Sequence, residues 1–85
     1  MELTVLIPCL NEAETLAICI RKAKSFLSEN GIDGEVLVSD NGSTDGSAEI
    51  AAAEGARVVS APVRGYGSAL ITGCREAKGK NARFL

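Results

Sequence analysis

The chain is 85 residues long and carries nine Lys and Arg against eleven Asp and Glu, for a net charge of −2, with no histidine. That length makes one small domain or part of a larger one, and the near-neutral balance leaves no basic footprint for nucleic acid or a membrane surface. Without histidine there is no imidazole acid–base chemistry or metal ligation, and Cys9, Cys19 and Cys74 lack CxxC spacing, so they read as small buried hydrophobes of a reduced, cytoplasmic protein.

Leu3 to Ile7 is a compact apolar run that reads as a central strand, stopped by Pro8, which cannot donate to a ladder. Asn11 caps a following helix, with Glu14 completing an approximate capping box. Leu16, Cys19, Ile20, Ala23 and Leu27 keep a helical period, which predicts an amphipathic helix from Glu12 to about Glu29; Ile18 falls off the stripe. Asn30-Gly31 is a helix stop. Val36 to Val38 fit a strand covered on both faces, with Asp40 at its carboxyl end. Ser43, Thr44 and Asp45 are all good N-caps for a short helix over Ala48 to Glu54, with Ile50 as its main apolar contact. Gly55 closes it.

Arg57 to Ala61 is a third strand, ending at Pro62. Arg64-Gly65-Tyr66-Gly67-Ser68 then leads into a helix through about Lys78. Its Ala69, Gly73 and Ala77 form a small-residue stripe that allows close approach to the sheet. After Gly79, Ala82 to Leu85 opens a fourth strand. The first apolar run is too short for a signal peptide or a transmembrane span.

The order βαβαβαβ with short connections predicts an α/β fold with a parallel sheet and right-handed crossovers. Every unusual residue then falls after a strand and before a helix, in Pro8–Glu12, Asp40–Asp45 and Pro62–Gly67, and a parallel sheet lines these loops along one edge, where open α/β sheets bind ligands. A carboxylate at Asp40 accepts hydrogen bonds from a base N–H or a ribose hydroxyl, and helix N-termini beside it hold phosphate. Asp45 serves equally as a turn or cap former, Glu12 as a first-turn acid on the helix dipole, and Arg64 as a solvated cation. Gly65 and Gly67 permit close backbone approach, but Gly-Tyr-Gly lacks the third glycine of the dinucleotide fingerprint.

Pro8-Cys9-Leu10-Asn11-Glu12, Ser39-Asp40-Asn41-Gly42-Ser43-Thr44-Asp45-Gly46 and Arg64-Gly65-Tyr66-Gly67, with Gly73 and Ala77-Lys78-Gly79, together resemble family 2 glycosyltransferases of the GT-A fold. The dolichol-phosphate-mannose-synthase-like, polyprenyl-phosphate branch is the nearest in pattern. The resemblance implies a three-layer Rossmann-like sheet of strand order 3-2-1-4, the incomplete nucleotide-binding half of that fold. It implies binding of a UDP- or GDP-linked sugar, with Asp40 on the base or ribose, Pro8, Leu10, Asn11 and Glu12 in the nucleoside pocket, and Asn41, Arg64 and Gly65 close by. Leu10 stands where relatives often carry an aromatic, and Asn41 where many carry a second acid.

For the intact enzyme the resemblance implies inverting transfer to a polyprenyl phosphate at the inner membrane face, with Mg2+ or Mn2+ offsetting diphosphate charge and a carboxylate base activating the acceptor. The Asp-x-Asp metal motif and the base follow the fourth strand in that family and are absent here. Residues 1–85 are therefore expected to be the amino-terminal nucleotide-binding part of a longer domain, truncated after the start of the fourth strand. Alone they are expected to be inactive and without catalytic or metal residues, and to self-associate through an unpaired edge. The alternative is a non-catalytic module, either a bare scaffold or a receiver-like signalling domain phosphorylated on Asp40. A receiver needs an acidic pair after its first strand, which Pro8-Cys9-Leu10 does not supply.

Overall fold

The structure, a computed structural model, describes all 85 residues. Its elements are β1 (Leu3–Cys9), α1 (Ala13–Glu29), β2 (Gly34–Asp40), α2 (Ser47–Ala53), β3 (Arg57–Ser60), α3 (Tyr66–Glu76) and β4 (Asn81–Phe84). The four strands are parallel and lie in the order β3-β2-β1-β4, as the motif resemblance implies. Strand pleating sends alternate residues to opposite faces. Val5, Ile7, Cys9, Val36 and Val38 meet Leu16, Ile20, Ala23 and Leu27 of α1 and Ala51 of α2 in one core. On the other face, α3 lies over Leu6 and accepts the Ser39 hydroxyl at its Ala69 carbonyl, 2.7 Å away. The result is a three-layer α/β/α unit.

Most elements follow the sequence pattern. Ile18 points outward at 53 % exposure, as its place off the stripe requires. Both glycine stops work as read. Gly31 and Gly55 adopt positive φ of 61° and 85°, and Ile32 and Ala56 donate back to Leu27 and Ala51 at 2.9 and 3.1 Å. This is the Schellman arrangement, which satisfies carbonyls left open by the ending helix.

Pro8 differs from expectation, because β1 runs through it to Cys9, pairing Pro8 with Ser39. Leu6 turns its carbonyl to the β4 side, where Leu85 N–H donates to it. Pro8, two residues on, faces the same side beyond the last β4 pair, so no ladder partner asks for its missing N–H. Cys9 is buried and Cys19 half-buried, but Cys74 is exposed, so the reading of all three cysteines as buried holds fully for Cys9, in part for Cys19 and fails for Cys74. In α2 the core contact is Ala51, fully buried, while Ile50 is half-buried. Helix α3 ends at Glu76 rather than Lys78, because Ala77 is already extended.

At the edge opposite the loops, Glu35 joins β1, β2, β3 and the α3–β4 link. Its carboxylate accepts from Arg57 Nε and Nη2 at 2.9 and 3.1 Å, from the Thr4 hydroxyl at 2.7 Å and from Lys78 N–H at 2.9 Å. Burial pushes its pKa up, but the hydrogen bonds from Arg57, Lys78 and Thr4 outweigh it and hold the group lowered to about 2. A depressed carboxyl adds stability above its unfolded pKa, and the protein loses that stability as pH falls through the folded one. The contribution of Glu35 is therefore expected to be complete above about 4.5 and to vanish toward pH 2. Urea unfolding at a series of pH values checks this. The gap between parent and Glu35→Gln should close across that window, and a gap independent of pH would refute it.

Candidate functional site

Parallel strands bring the carboxyl ends of β1, β2 and β3 to one edge, with the loops 10–12, 41–46 and 61–65 above it. Asp40 is the last residue of β2, paired with Cys9 on one side and Ser60 on the other. It is 7 % exposed and shares a face with Val36 and Val38, toward α1 and α2. Its Oδ2 accepts from Ser43 N–H at 3.1 Å, while Oδ1 is buried with no donor in reach. An acceptor buried without a partner costs on the order of 1–3 kcal/mol, so few are retained in folded proteins without a reason.

The first two loops are fastened by side chains that cross between them. Asn11, at a positive φ of 52°, accepts from Thr44 N–H at 2.8 Å through Oδ1 and donates its own N–H to Ser43 Oγ at 2.9 Å. Glu12 N–H donates to Ser47 Oγ at 3.1 Å, and Ala13 N–H to Asp45 Oδ2 at 3.1 Å. Helix α1 is thus capped from the second loop. The expected Asn11–Glu14 capping box does not form; Glu12 is the cap position, without a side-chain cap bond. Asp45 Oδ1 also accepts from Ser47 N–H and the Ser47 hydroxyl. That hydroxyl above all, with the backbone donors, holds the Asp45 carboxyl below the usual carboxylate range. None of Ser43, Thr44 and Asp45 is the α2 cap; Gly46 is, at φ 86°.

These bonds change where an anion can bind. The first N–H groups of α1 are occupied, and a carboxylate sits at its positive end, so α1 offers no phosphate site. Helix α3 differs: no side chain caps it, no acid lies in its first turn, and Arg64 immediately precedes its cap Gly65. Arg64 has no carboxylate within ion-pair distance.

The third loop is held by Asn41, 6 % exposed, whose side chain bonds Val63 and Gly65. A cleft of about 270 Å³ opens between the first and third loops. Six of the eight residues expected at a nucleotide site line it: Pro8, Leu10, Glu12, Asn41, Arg64 and Gly65, joined by Cys9, Tyr66 and Ala69. Asn11 and Asp40 do not line it, since Asn11 is turned to the second loop and Asp40 is buried. Ser43, read as a cap for α2, instead binds the first loop, and Ser47, which also positions the loops, escaped the sequence reading; its only signal was the density of Ser, Thr and Asp between 43 and 47.

A sequence profile described as glycosyl transferase family 2 matches residues 4–85. The chain belongs to this family. The low-salt glycan biosynthesis hexosyltransferase Agl6 of Haloferax volcanii is 42 % identical over 77 residues, 91 % of this chain and 18 % of that protein. Glucosyl-3-phosphoglycerate synthase of Mycobacterium tuberculosis, solved with Mn2+, UDP and glucosyl-3-phosphoglycerate, superposes with a TM-score of 0.83 at 37 % identity, over 99 % of this chain and 32 % of that one. Mannosyl-3-phosphoglycerate synthase of Rubrobacter xylanophilus gives 0.84 at 25 % identity, over 93 % and 28 %. The glycosyltransferase unit described here therefore spans less than a third of these relatives.

Glucosyl-3-phosphoglycerate synthase is solved with Mn2+ and with Mg2+ beside UDP. The residues present here do not fit a divalent metal: no three of the Cys, Asp and Glu side chains converge. Asp45 already binds Ala13 and Ser47, and Asp40 is buried. No helix of this unit is long and apolar enough to cross a membrane.

Proposed function

We propose that residues 1–85 are the nucleoside-binding part of an inverting family 2 glycosyltransferase that takes its sugar from a UDP-linked donor. The observation that carries this is the unpartnered Oδ1 of Asp40, buried at the carboxyl end of β2. A donor N–H or hydroxyl of the nucleoside would satisfy it, with a local shift of the loops because solvent does not reach the atom. Pro8, Leu10, Glu12 and Gly65 would form the pocket wall, Asn41 would hold the third loop, Asn11 would hold the first loop against the second, and Arg64 with the uncapped start of α3 would face the diphosphate. UDP in the glucosyl-3-phosphoglycerate synthase complexes supports the uridine donor. Polyprenyl phosphate, from the motif resemblance, is the proposed acceptor; the phosphoglyceric acid complexes of the neighbours share its phosphorylated character.

A receiver-like role for Asp40 is not favoured, since the acidic pair that a receiver needs after its first strand is absent from Pro8-Cys9-Leu10. Chemical-shift titration of the chain with UDP and with GDP tests the proposal. Shifts are expected to centre on Pro8, Asp40 and Gly65, with UDP binding the tighter. Shifts scattered elsewhere, or none up to tens of millimolar, would refute it.

A further inference from the structure

We infer that Asn41 is the positioning residue of the Val63–Gly65 loop, setting nucleotide affinity through that loop rather than by contact with the nucleotide. The inference rests on the nucleotide-site reading above. Pro62, Val63, Arg64 and Gly65 are all exposed, so packing does not hold this segment. Its anchor is one amide: Asn41 Nδ2 donates to Val63 O at 2.9 Å, and Oδ1 accepts from Gly65 N–H at 2.8 Å. The anchor is itself fixed, because Asn41 N–H donates to Cys9 O at 2.8 Å, which ties it to the end of β1.

The two bonds straddle Arg64 and set its backbone. Gly65, at φ 124°, holds a conformation that L side chains rarely adopt, and α3 starts from it. Arg64 then lies beside Gly42, with Nε and Nη2 3.9 Å from where a Cβ would stand, so its cation sits over the second loop without an ion-pair partner. Only an amide makes both bonds. An aspartate at 41 would accept from Gly65 but set oxygen against the Val63 carbonyl; a leucine of similar volume would make neither.

A double-mutant cycle read by UDP titration tests this. Asn41→Leu and Arg64→Ala are each expected to weaken UDP about tenfold, the equivalent of ~1.4 kcal/mol, and Asn41→Asp by less. The double variant should bind within about twofold of Arg64→Ala alone, because the loop acts through the cation it carries. Additive losses, about a hundredfold together, would mean Asn41 contacts the nucleotide itself and would overturn the inference, as would unchanged binding in Asn41→Leu. Amide exchange separates loop from fold: Gly65 N–H should lose protection in Asn41→Leu, while Ser43 N–H, bonded to Asp40, keeps it. Unchanged Gly65 protection refutes the anchor. A parent that fails to bind UDP refutes the nucleotide-site reading, and with it the role in affinity, whatever exchange shows.

Discussion

Asp40→Asn is expected to weaken UDP binding by at least about tenfold while leaving the fold as stable as the parent or slightly more so. The two halves have one cause. Asp40 is buried with only Oδ2 bonded, to Ser43 N–H, and Oδ1 unsatisfied. A buried charge with incomplete hydrogen bonding is costly, and a neutral side chain of the same shape relieves part of that cost while keeping an acceptor for Ser43. In the complex the balance reverses. A carboxylate accepting from the nucleoside forms a charge-assisted bond of about 1.5–3 kcal/mol, and each ~1.4 kcal/mol is tenfold in affinity. UDP titration with thermal unfolding of both proteins checks the pair of outcomes. Equal affinity would remove Asp40 from the site, and a large loss of stability would make it a structural residue.

The largest expected stability effect is remote from the site. Gly79→Val should cost about 3 kcal/mol or more, at the upper end for overpacking. A Cβ on Gly79 would stand 2.5 Å from the Leu3 carbonyl carbon and the Thr4 nitrogen, and both are main chain of the central strand. Neither can rotate away, in contrast to Gly73, whose Cβ would meet the Leu6 side chain. The only relief is to lift residues 77–80 from β1. That breaks Gly79 N–H to Thr4 Oγ1 at 2.9 Å and Lys78 N–H to Glu35 at 2.9 Å, and pulls on the links of Lys80 and Asn81 to Met1 and Glu2. Strand β4, every residue of which is exposed, would be released. Urea unfolding gives the magnitude, and amide exchange in β4 locates it. A cost below about 1 kcal/mol would show that the close approach is not maintained in solution.

The division of labour among the loop residues is read from this chain's own hydrogen bonds. Asn41, read from the motif as part of the nucleotide contact, has its amide engaged by Val63 and Gly65. Asn11, read as the cap of its own helix, binds the second loop. Asp45, open between turn former and ligand, caps α1 from thirty-two residues away in sequence. Each was correctly singled out as chemically unusual for its position. What misled was locality: a cap or turn residue is assigned to its own helix because neighbours in sequence are the only partners a pattern can offer.

By itself the sequence determined what depends on neighbouring residues: the seven elements and their order, the glycine stops at Gly31 and Gly55, and the place of Asp40 at the end of a buried strand. These follow from side-chain period and backbone preference, which act over one or two turns. Parallel pairing then forces the three loops to one edge, so their juxtaposition was legible too. Only the tertiary structure decided which polar group meets which. Pro8 could continue β1 because its missing N–H falls past the last β4 pair, a fact of register. The caps of α1 came from Asp45 and Ser47 because β1 and β2 lie side by side, which places one loop against the start of the other's helix. Asn41 anchors residues 63–65 because β3 pairs with β2. Hydrogen bonds are satisfied by whatever donor or acceptor lies near 3 Å, and which one that is depends on the packing of strands, not on the spacing of residues.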